Sequence, residues 1–203
     1  MVIYLVVLND TCLKQVLSVV NVDNILTQCQ RWIYIISNSI NKKLNPHFIS
    51  IPPPMTYVAR NKYQLPIPLD KLLSVDTRSS PVHLGKLENA VDFVASENTI
   101  VLAAAPGTVT YVKDDSDIGG PSVNFWAYSN FISIKHQNEE YTRYDHLAFG
   151  SSKVRVGEIV SAGQEIAKVG MTGFTYLPHL HFQVFVFTGP NLWEDYQTLK
   201  VDF

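Results

Sequence analysis

Two histidines stand two residues apart in the segment Pro178-His179-Leu180-His181-Phe182, shortly after a glycine-rich turn. The surrounding residues predict a β-strand, so both side chains should project from the same face. Two imidazoles on one face of a stiff element can hold a metal ion or act as an acid and base pair. Alternating polar residues are also typical of any half-exposed strand. Whether these two histidines belong to a functional site therefore depends on partners elsewhere in the chain.

Further residues could complete such a site. Asp92 lies in an apolar run, where a carboxylate is costly unless it is paired, hydrogen-bonded or bound to metal. His83 stands nine residues before it, and His146 follows a predicted strand. A hydrolytic zinc site needs about three His, Asp or Glu ligands and a position left for water. Taken singly, Asp92 could equally cap a strand end, and His146 could be an ordinary surface histidine.

The remaining histidines are predicted to lie outside any site. His136 comes directly before a predicted hairpin turn, and His47 lies in a proline-rich stretch. We assign both to local structure.

The elements that must position these residues change character along the chain. Residues 1–56 show helical spacing of apolar positions and end in the linker Ile51-Pro52-Pro53-Pro54, which cannot continue a helix. From residue 57 to 203, short alternating runs separated by turns predict an antiparallel β-sandwich or barrel. The predicted strands are Ile100 to Ala104, Gly107 to Lys113, Asn130 to His136, Glu140 to Asp145, Glu165 to Val169 and His179 to Phe187.

The motifs occur in a characteristic order. They are His83, Ala90-Val91-Asp92-Phe93, Gly107-Thr108-Val109, Tyr144-Asp145-His146-Leu147, Val156-Gly157, Gly170-Met171-Thr172-Gly173 and Pro178-His179-Leu180-His181-Phe182. This series resembles the lysostaphin-type (LytM-like) zinc metallopeptidases, which cut peptidoglycan cross-links. The resemblance runs from about Leu65 to Val186. It implies a mainly-β fold, a barrel-sandwich hybrid of the duplicated-hybrid-motif type, over residues 57–203.

The resemblance also implies a division of labour among the site residues. His83, Asp92 and His181 would hold one Zn²⁺ per chain, while His146 and His179 would flank the metal-bound water. The implied function is a zinc-dependent endopeptidase that hydrolyses peptidoglycan cross-links through a metal-activated water. The implied location is extracytoplasmic, in the periplasm, in the envelope or secreted.

The sequence departs from the family pattern at the first ligand. Many members place that histidine four residues before the aspartate, a position that Glu88 occupies here. No other histidine lies between His47 and His136, so His83 is the available imidazole. Glu88 stays open as an alternative oxygen ligand, since zinc accepts carboxylates.

Composition narrows the function classes. The formal charge of −2 and the pI near 6.3 give no basic footprint, so we expect no nucleic-acid partner. No stretch approaches the ~18 apolar residues of a membrane span, and the N-terminus shows no clear export signal. Cys12 and Cys29 fit no zinc or redox motif, and we expect them to be two buried or half-buried thiols with no catalytic role; a disulfide between them is the alternative.

Two other functions fit part of the sequence. The stretch from Val154 to Ala167 resembles the hairpin of biotinyl and lipoyl carrier domains, but a carrier needs an exposed lysine at a tight turn and no His and Asp set. A catalytically inactive envelope-binding or regulatory module of the same fold is the second alternative. Zinc content separates the enzyme from the carrier, and turnover separates it from the inactive module.

Overall fold

The computed structural model describes residues 58–77, 83–190 and 194–203, so the predicted helical segment 1–56 lies outside the described residues. Twelve strands are found in these ranges: β1 Ser74–Asp76, β2 Val91–Val94, β3 Ile100–Leu102, β4 Gly107–Lys113, β5 Gly119–Gly120, β6 Phe131–Lys135, β7 Tyr141–Asp145, β8 Ile159–Val160, β9 Glu165–Lys168, β10 Gly173–Phe174, β11 His179–Phe187 and β12 Tyr196–Thr198. Short 3-10 turns lie at Leu69–Lys71, Gly85–Leu87, Val123–Tyr128 and Gln137–Glu139.

An eight-stranded antiparallel sheet carries most of these strands. Its order is β1-β2-β11-β7-β6-β4-β8, and β12 joins β11 beyond the end of β2. The nine-residue strand β11 therefore pairs with β7 on one side and with β2 and then β12 on the other. Because β11 is central, its side chains are buried on both faces of the sheet over most of its length.

Strand alternation gives the large sheet two different faces: one packs on the hydrophobic core, and the other, called here the site face, carries the histidines of β11. On β11, Leu180, Phe182 and Val184 are fully buried in the hydrophobic core, which also takes Val101 of β3 and Ile166 of β9. The antiparallel pair β3 and β9 forms its own two-stranded sheet. The alternate β11 residues, His179, His181 and Gln183, must then project from the opposite face. The core thus fixes which side chains face the site.

The predicted mainly-β, antiparallel fold is confirmed. Strands β4 and β11 have the predicted bounds, and the other four predicted strands are present but end one or two residues earlier or begin one later. The short strands β1, β2, β5, β8, β10 and β12 were not predicted. Two of them depart from the antiparallel pattern, since β5 and β10 form a two-residue parallel pair. Within the described ranges, no helix is long and apolar enough to cross a membrane.

Candidate metal centre and catalytic site

A row of polar residues crosses the site face where three strands meet. His181 on β11 is the direct partner of Asp92 on β2 and of Asp145 on β7. Directly opposite residues of neighbouring strands lie on the same face. Sheet pairing therefore sets Asp92 beside His181 although they are 89 residues apart in the chain.

Three atoms that could bind one metal ion converge at this row. His181 Nδ1 lies 2.8 Å from Asp92 Oδ1, and His83 Nε2 lies 3.2 Å from the same oxygen and 3.3 Å from His181 Nδ1. All three residues are buried. Within the described ranges, His83, Asp92 and His181 are the group of His, Cys, Asp or Glu side chains that could share one metal ion.

The donor set fits a tetrahedral zinc ion. Bonds of 2.0–2.2 Å to nitrogen and oxygen set tetrahedral ligand atoms about 3.3–3.6 Å apart. The two distances from His83 Nε2 are close to that size, at 3.2 and 3.3 Å, and the shorter third distance suits a hydrogen-bonded pair. Two imidazoles and one carboxylate are ligands that zinc prefers, and three protein ligands leave a fourth position open.

Asp92 and its histidine neighbours stabilise each other's charged forms. Burial alone would raise the pKa of Asp92, but hydrogen bonds from His181 and His83 hold it well below its usual range. Burial would likewise lower the pKa of His83, yet its hydrogen bond to Asp92 raises that pKa above the ordinary value. Asp92 is therefore a carboxylate at any pH at which the protein would work, and a carboxylate is the form that can bind a metal.

His83 reaches the row from a loop, just before the 3-10 turn Gly85–Leu87. Its side chain is only 1% exposed, so the nine-residue spacing to Asp92 does not keep it away from the cluster. Glu88, the alternative ligand, ends that turn with an exposed side chain and is not part of the three-residue group.

His146 has a strained backbone beside this group. Its φ is +63°, in the left-handed region that non-glycine residues rarely adopt. Its main-chain N–H donates to Ser129 Oγ at 3.2 Å, and its Nδ1 lies 2.8 Å from the Thr172 carbonyl oxygen. Since a carbonyl only accepts, Nδ1 must carry the hydrogen, and Nε2 of the neutral ring keeps a lone pair.

His179, on β11, has the same tautomer as His146. Its Nδ1 lies 2.9 Å from the Leu177 carbonyl oxygen, so Nδ1 carries the hydrogen. Its Nε2 then holds a lone pair and lies 3.7 Å from Asp92 Oδ1. The ring centroid of His146 is 4.7 Å from that of His179 and 6.0 Å from that of His181. The five predicted residues therefore lie together, with two lone-pair nitrogens beside the three ligand atoms.

Both flanking histidines are neutral near pH 7. Burial, together with the repulsion that a protonated His179 would exert in acid, lowers the pKa of His146 to about 4. Burial also lowers the pKa of His179, although the charge of Asp92 works against that shift. A neutral imidazole can accept a proton, so each ring is in the form that a base requires.

Sequence reasoning missed the residues that hold His146 in place. Ser129 Oγ also donates to Asp145 Oδ1 at 3.1 Å, and Asp145 accepts from Arg143 Nε at 2.7 Å and Nη2 at 2.9 Å. A side chain on Gly173, whose φ is +80°, would come within 2.6 Å of Ser129 Cβ, so glycine is required there. The glycine-rich motif signals this contact, whereas nothing local in the sequence singles out Ser129 or Arg143.

His136 lies where the sequence predicted, next to the hairpin turn between β6 and β7. Its ring nitrogens contact the Pro106 carbonyl oxygen and Thr142 Oγ1, each at 2.8 Å. Both nitrogens are thus committed to local structure, and His136 is not in the three-residue metal group.

Three convergent ligand atoms beside two neutral imidazoles form an arrangement suited to metal-assisted hydrolysis. A sequence model described as Peptidase family M23 matches residues 86–191, which is more than half of the chain. The chain belongs to peptidase family M23, and the predicted class of metallopeptidase is confirmed. The matched range includes four of the five candidate residues, and His83 lies three residues before it.

Several known proteins are similar to this chain. An uncharacterised metalloprotease of Haemophilus influenzae is 36% identical over 93 residues, which cover 46% of this chain and 17% of that protein. The peptidoglycan DD-endopeptidase ShyB of Vibrio cholerae is 33% identical over 102 residues, which cover 50% of this chain and 21% of ShyB. The chain thus spans about a fifth of the length of the curated relatives it matches. The catalytic domain of lysostaphin from Staphylococcus simulans is 28% identical, covering 62% of this chain and 87% of that one, with a TM-score of 0.45.

Proposed function

We propose that this protein is a zinc-dependent endopeptidase that hydrolyses peptide cross-links of bacterial cell-wall peptidoglycan. His83, Asp92 and His181 hold one zinc ion per chain, and His146 and His179 are the catalytic bases. The observation that carries the proposal is the convergence of three buried ligand atoms, 2.8 to 3.3 Å apart, beside two imidazoles with free Nε2 lone pairs.

The substrate is proposed from the relatives. ShyB is named a peptidoglycan DD-endopeptidase, and the Neisseria meningitidis relative a DD-carboxypeptidase/endopeptidase. A chain that cuts the same polymer works outside the cytoplasm, so we place it in the periplasm, in the envelope or among secreted proteins. We expect residues 57–203 to be the peptidase domain.

Zinc supplies two things when bound: it polarises the scissile carbonyl, and it lowers the pKa of water to about 7. The chain's own residues do the rest. Asp92 and His181 are seated on neighbouring strands of the sheet, so the ligand geometry is rigid before substrate arrives. A rigid site avoids the cost of ordering its groups during the reaction.

The two flanking histidines move the proton. His146 Nε2 can take a proton from the attacking water, because Nδ1–H is held by the Thr172 carbonyl and the ring is neutral. The imidazolium can then return that proton to the leaving amine. His179 is neutral in the same tautomer, so its Nε2 lone pair can accept a hydrogen bond from the attacking water and orient it as a second base.

The test is digestion of purified peptidoglycan of defined cross-bridge type by the full chain, with the released fragments identified by mass. We expect fragments that correspond to cleaved cross-links and a zinc content of about one ion per chain. Zinc binding without any fragment release would instead support an inactive envelope-binding module. Fragment release by protein free of zinc would contradict the metal-dependent function.

A further inference from the structure

The two flanking histidines are held by one short segment of the chain. The Thr172 carbonyl oxygen lies 2.8 Å from His146 Nδ1, and the Leu177 carbonyl oxygen lies 2.9 Å from His179 Nδ1. The hydrogen bond at one ring nitrogen of a histidine determines which nitrogen keeps the lone pair. Residues 172–177, called here the support segment, therefore set the tautomer of both rings.

Thr175 adds a side-chain contact to this support. Its hydroxyl donates to the Leu177 carbonyl oxygen at 2.7 Å, and its Oγ1 lies 3.2 Å from His179 Nδ1. Because the hydroxyl hydrogen is already used, Oγ1 accepts at this second contact, and the Nδ1–H of His179 is shared between two acceptors. Thr175 is buried, so these contacts are made without competition from bulk water.

The Thr172 side chain fixes the carbonyl group that His146 uses. Its hydroxyl donates to the Leu147 carbonyl oxygen at 2.8 Å and accepts from the Asn130 main-chain N–H at 3.0 Å. Leu147 directly follows His146 in the chain. The main chain at Thr172 is thus tied both to the His146 ring and to the residue beside it, so a shift of Thr172 would shift the ring.

The parallel pair β5–β10 fastens the support segment to the loop that carries β5. The Gly173 N–H donates to the Ile118 carbonyl oxygen at 2.9 Å, and the Thr175 N–H donates to the Gly120 carbonyl oxygen at 3.1 Å. These bonds lie on either side of Phe174, between Thr172 and Leu177. The position of the support segment therefore depends on β5.

Gly119 permits the close approach of the two strands. A Cβ on this residue would overlap the Met171 carbonyl oxygen and lie 3.0 Å from Thr172 Cα. Both atoms belong to the main chain, so the backbone itself would have to move to make room. Glycine at this position therefore allows the packing that sets the Thr172 carbonyl oxygen against His146.

The same element borders a cavity beside the candidate metal centre. The cavity has a volume of about 600 Å³, and its lining includes His146, His181, Phe174 of β10 and Trp126 from the turn after β5. The ring centroids of Phe174 and Trp126 are 6.5 Å apart. A substrate in this cavity would rest against the element that supports the two histidines.

We propose, on the basis of the proposed peptidase function, that the β5–β10 pair is the positioning element of both catalytic histidines. Gly119 positions His146 through the Thr172 carbonyl group, and Thr175 positions His179 through its hydroxyl. Neither residue is needed to bind zinc. A misplacement of about 1 Å can lower a rate by about 10²-fold, so both residues should affect turnover.

The experiment measures the tautomer of each ring separately from turnover. The full zinc-loaded chain is prepared with isotope-labelled histidine, and nitrogen NMR at one pH near neutrality shows which ring nitrogen carries the hydrogen. His146→Asn and His179→Ala assign the signals. Zinc content and the rate of fragment release at saturating peptidoglycan are measured on the same samples. In the wild type we expect the hydrogen on Nδ1 of both rings.

Thr175→Val keeps the shape of the side chain and removes the hydroxyl. We expect a mixture of tautomers at His179, an unchanged His146, full zinc content and a rate of fragment release lowered about tenfold. Thr175→Ser restores the hydroxyl and should recover most of the rate. Thr142→Val is the matched control, because Thr142 Oγ1 lies 2.8 Å from Nε2 of His136, outside the site. It should leave both tautomers and the rate at wild-type values.

Gly119→Ala tests the support of His146. We expect a mixture of tautomers at His146 and a rate lowered by about 10²-fold, with zinc retained. Thr172→Val, which removes only a hydroxyl, is the second variant and should produce the same mixture if Gly119→Ala does not fold.

A single Nδ1–H tautomer at His179 together with a wild-type rate in Thr175→Val would overturn the proposal. Loss of zinc in step with the rate would overturn it as well, because the effect would then act through the metal. Absence of fragment release by the wild-type protein contradicts the proposed function alone, and the tautomers of the variants then decide whether the β5–β10 pair positions the two rings.

Discussion

Asp92 on β2 and Glu140, directly before β7, are both buried carboxylates, and they differ in the partners that surround them. Glu140 is 1% exposed and accepts from the main-chain N–H groups of Arg60 and Asn61 and from the Tyr63 hydroxyl. Asp92 is surrounded instead by the ring nitrogens of His83, His179 and His181.

The type of partner decides what each carboxylate can do. Glu140 accepts from four donors, since the Asn61 side-chain amide adds to the two main-chain N–H groups and the Tyr63 hydroxyl. These contacts hold a loop against the β6–β7 hairpin and occupy the lone pairs of the carboxylate. An imidazole nitrogen becomes a lone-pair ligand once its hydrogen has left. A buried carboxylate therefore indicates a metal site only when its partners can themselves turn into ligands.

The largest expected effect comes from removing the ligands. In Asp92→Ala, His83→Ala or His181→Ala, we expect zinc and activity to be lost together, with kcat/KM lowered by about 10³-fold or more. Zinc content by mass spectrometry and fragment release from peptidoglycan are measured on the same sample. Full zinc occupancy in Asp92→Ala would remove that residue from the ligand set.

The flanking histidines separate catalysis from metal binding. We expect His146→Asn and His179→Ala to retain zinc and to lower kcat by about 10² or more, the usual scale for a positioned acid, base or oxyanion donor. Asparagine is chosen at position 146 because it tolerates the left-handed backbone found there. Near-wild-type turnover in His146→Asn would show that the ring is not the base.

Substitution of Glu140 should lower stability without changing zinc content, whereas substitution of Asp92 should remove the zinc. We expect Glu140→Gln to lower the free energy of unfolding by about 1–3 kcal/mol, because one amide cannot accept from all the donors that the carboxylate satisfies. Zinc content should stay at the wild-type level, since Glu140 is not in the metal group. The measurement is urea denaturation together with zinc content. Loss of zinc from a folded Glu140→Gln protein would remove the distinction between the two carboxylates.

Acid should destabilise the metal-free protein through His146. Its pKa is about 4 in the folded protein, while an unfolded histidine titrates near 6.5. Between these pH values His146 binds a proton in the unfolded chain but not in the folded one. The free energy of unfolding therefore falls as the pH drops from 6.5 to 4. Because the ring is partly exposed, we expect a contribution of only about 1–2 kcal/mol.

His146→Asn is the matched control for this pH effect. Its unfolding free energy, measured in urea at several pH values, should change less between pH 6.5 and 4 than that of the wild type. An identical pH dependence in the two metal-free proteins would mean that His146 titrates normally in the folded state.

Local patterns predicted the long strands and the types of site residue. The alternation in His179–Phe187 gave the bounds of β11 and the shared face of its two histidines, and the apolar run around Asp92 marked a carboxylate that needs partners. Asp145 and Arg143 were not recognised as neighbours of the site, because their place depends on the register of β7 against β11. Register between strands that are far apart in sequence is set by the packed core, so no short window of residues contains it.

The short strands were missed for a related reason. Runs of two residues, such as Gly119–Gly120 and Gly173–Phe174, are too short to show any alternation, and they pair only because the loops that carry them meet. His83 was recognised through the resemblance to a family and not through any element of its own, because it lies in a loop that has no periodic signal.

Chelation and metal restoration on one sample of wild-type protein test the central claim most directly. Fragment release from purified peptidoglycan is measured before chelation, after a strong chelator has removed the metal, and after zinc is added back. The account predicts release that is abolished by the chelator and restored by about one equivalent of zinc per chain. Undiminished release after the metal has been removed would contradict the account.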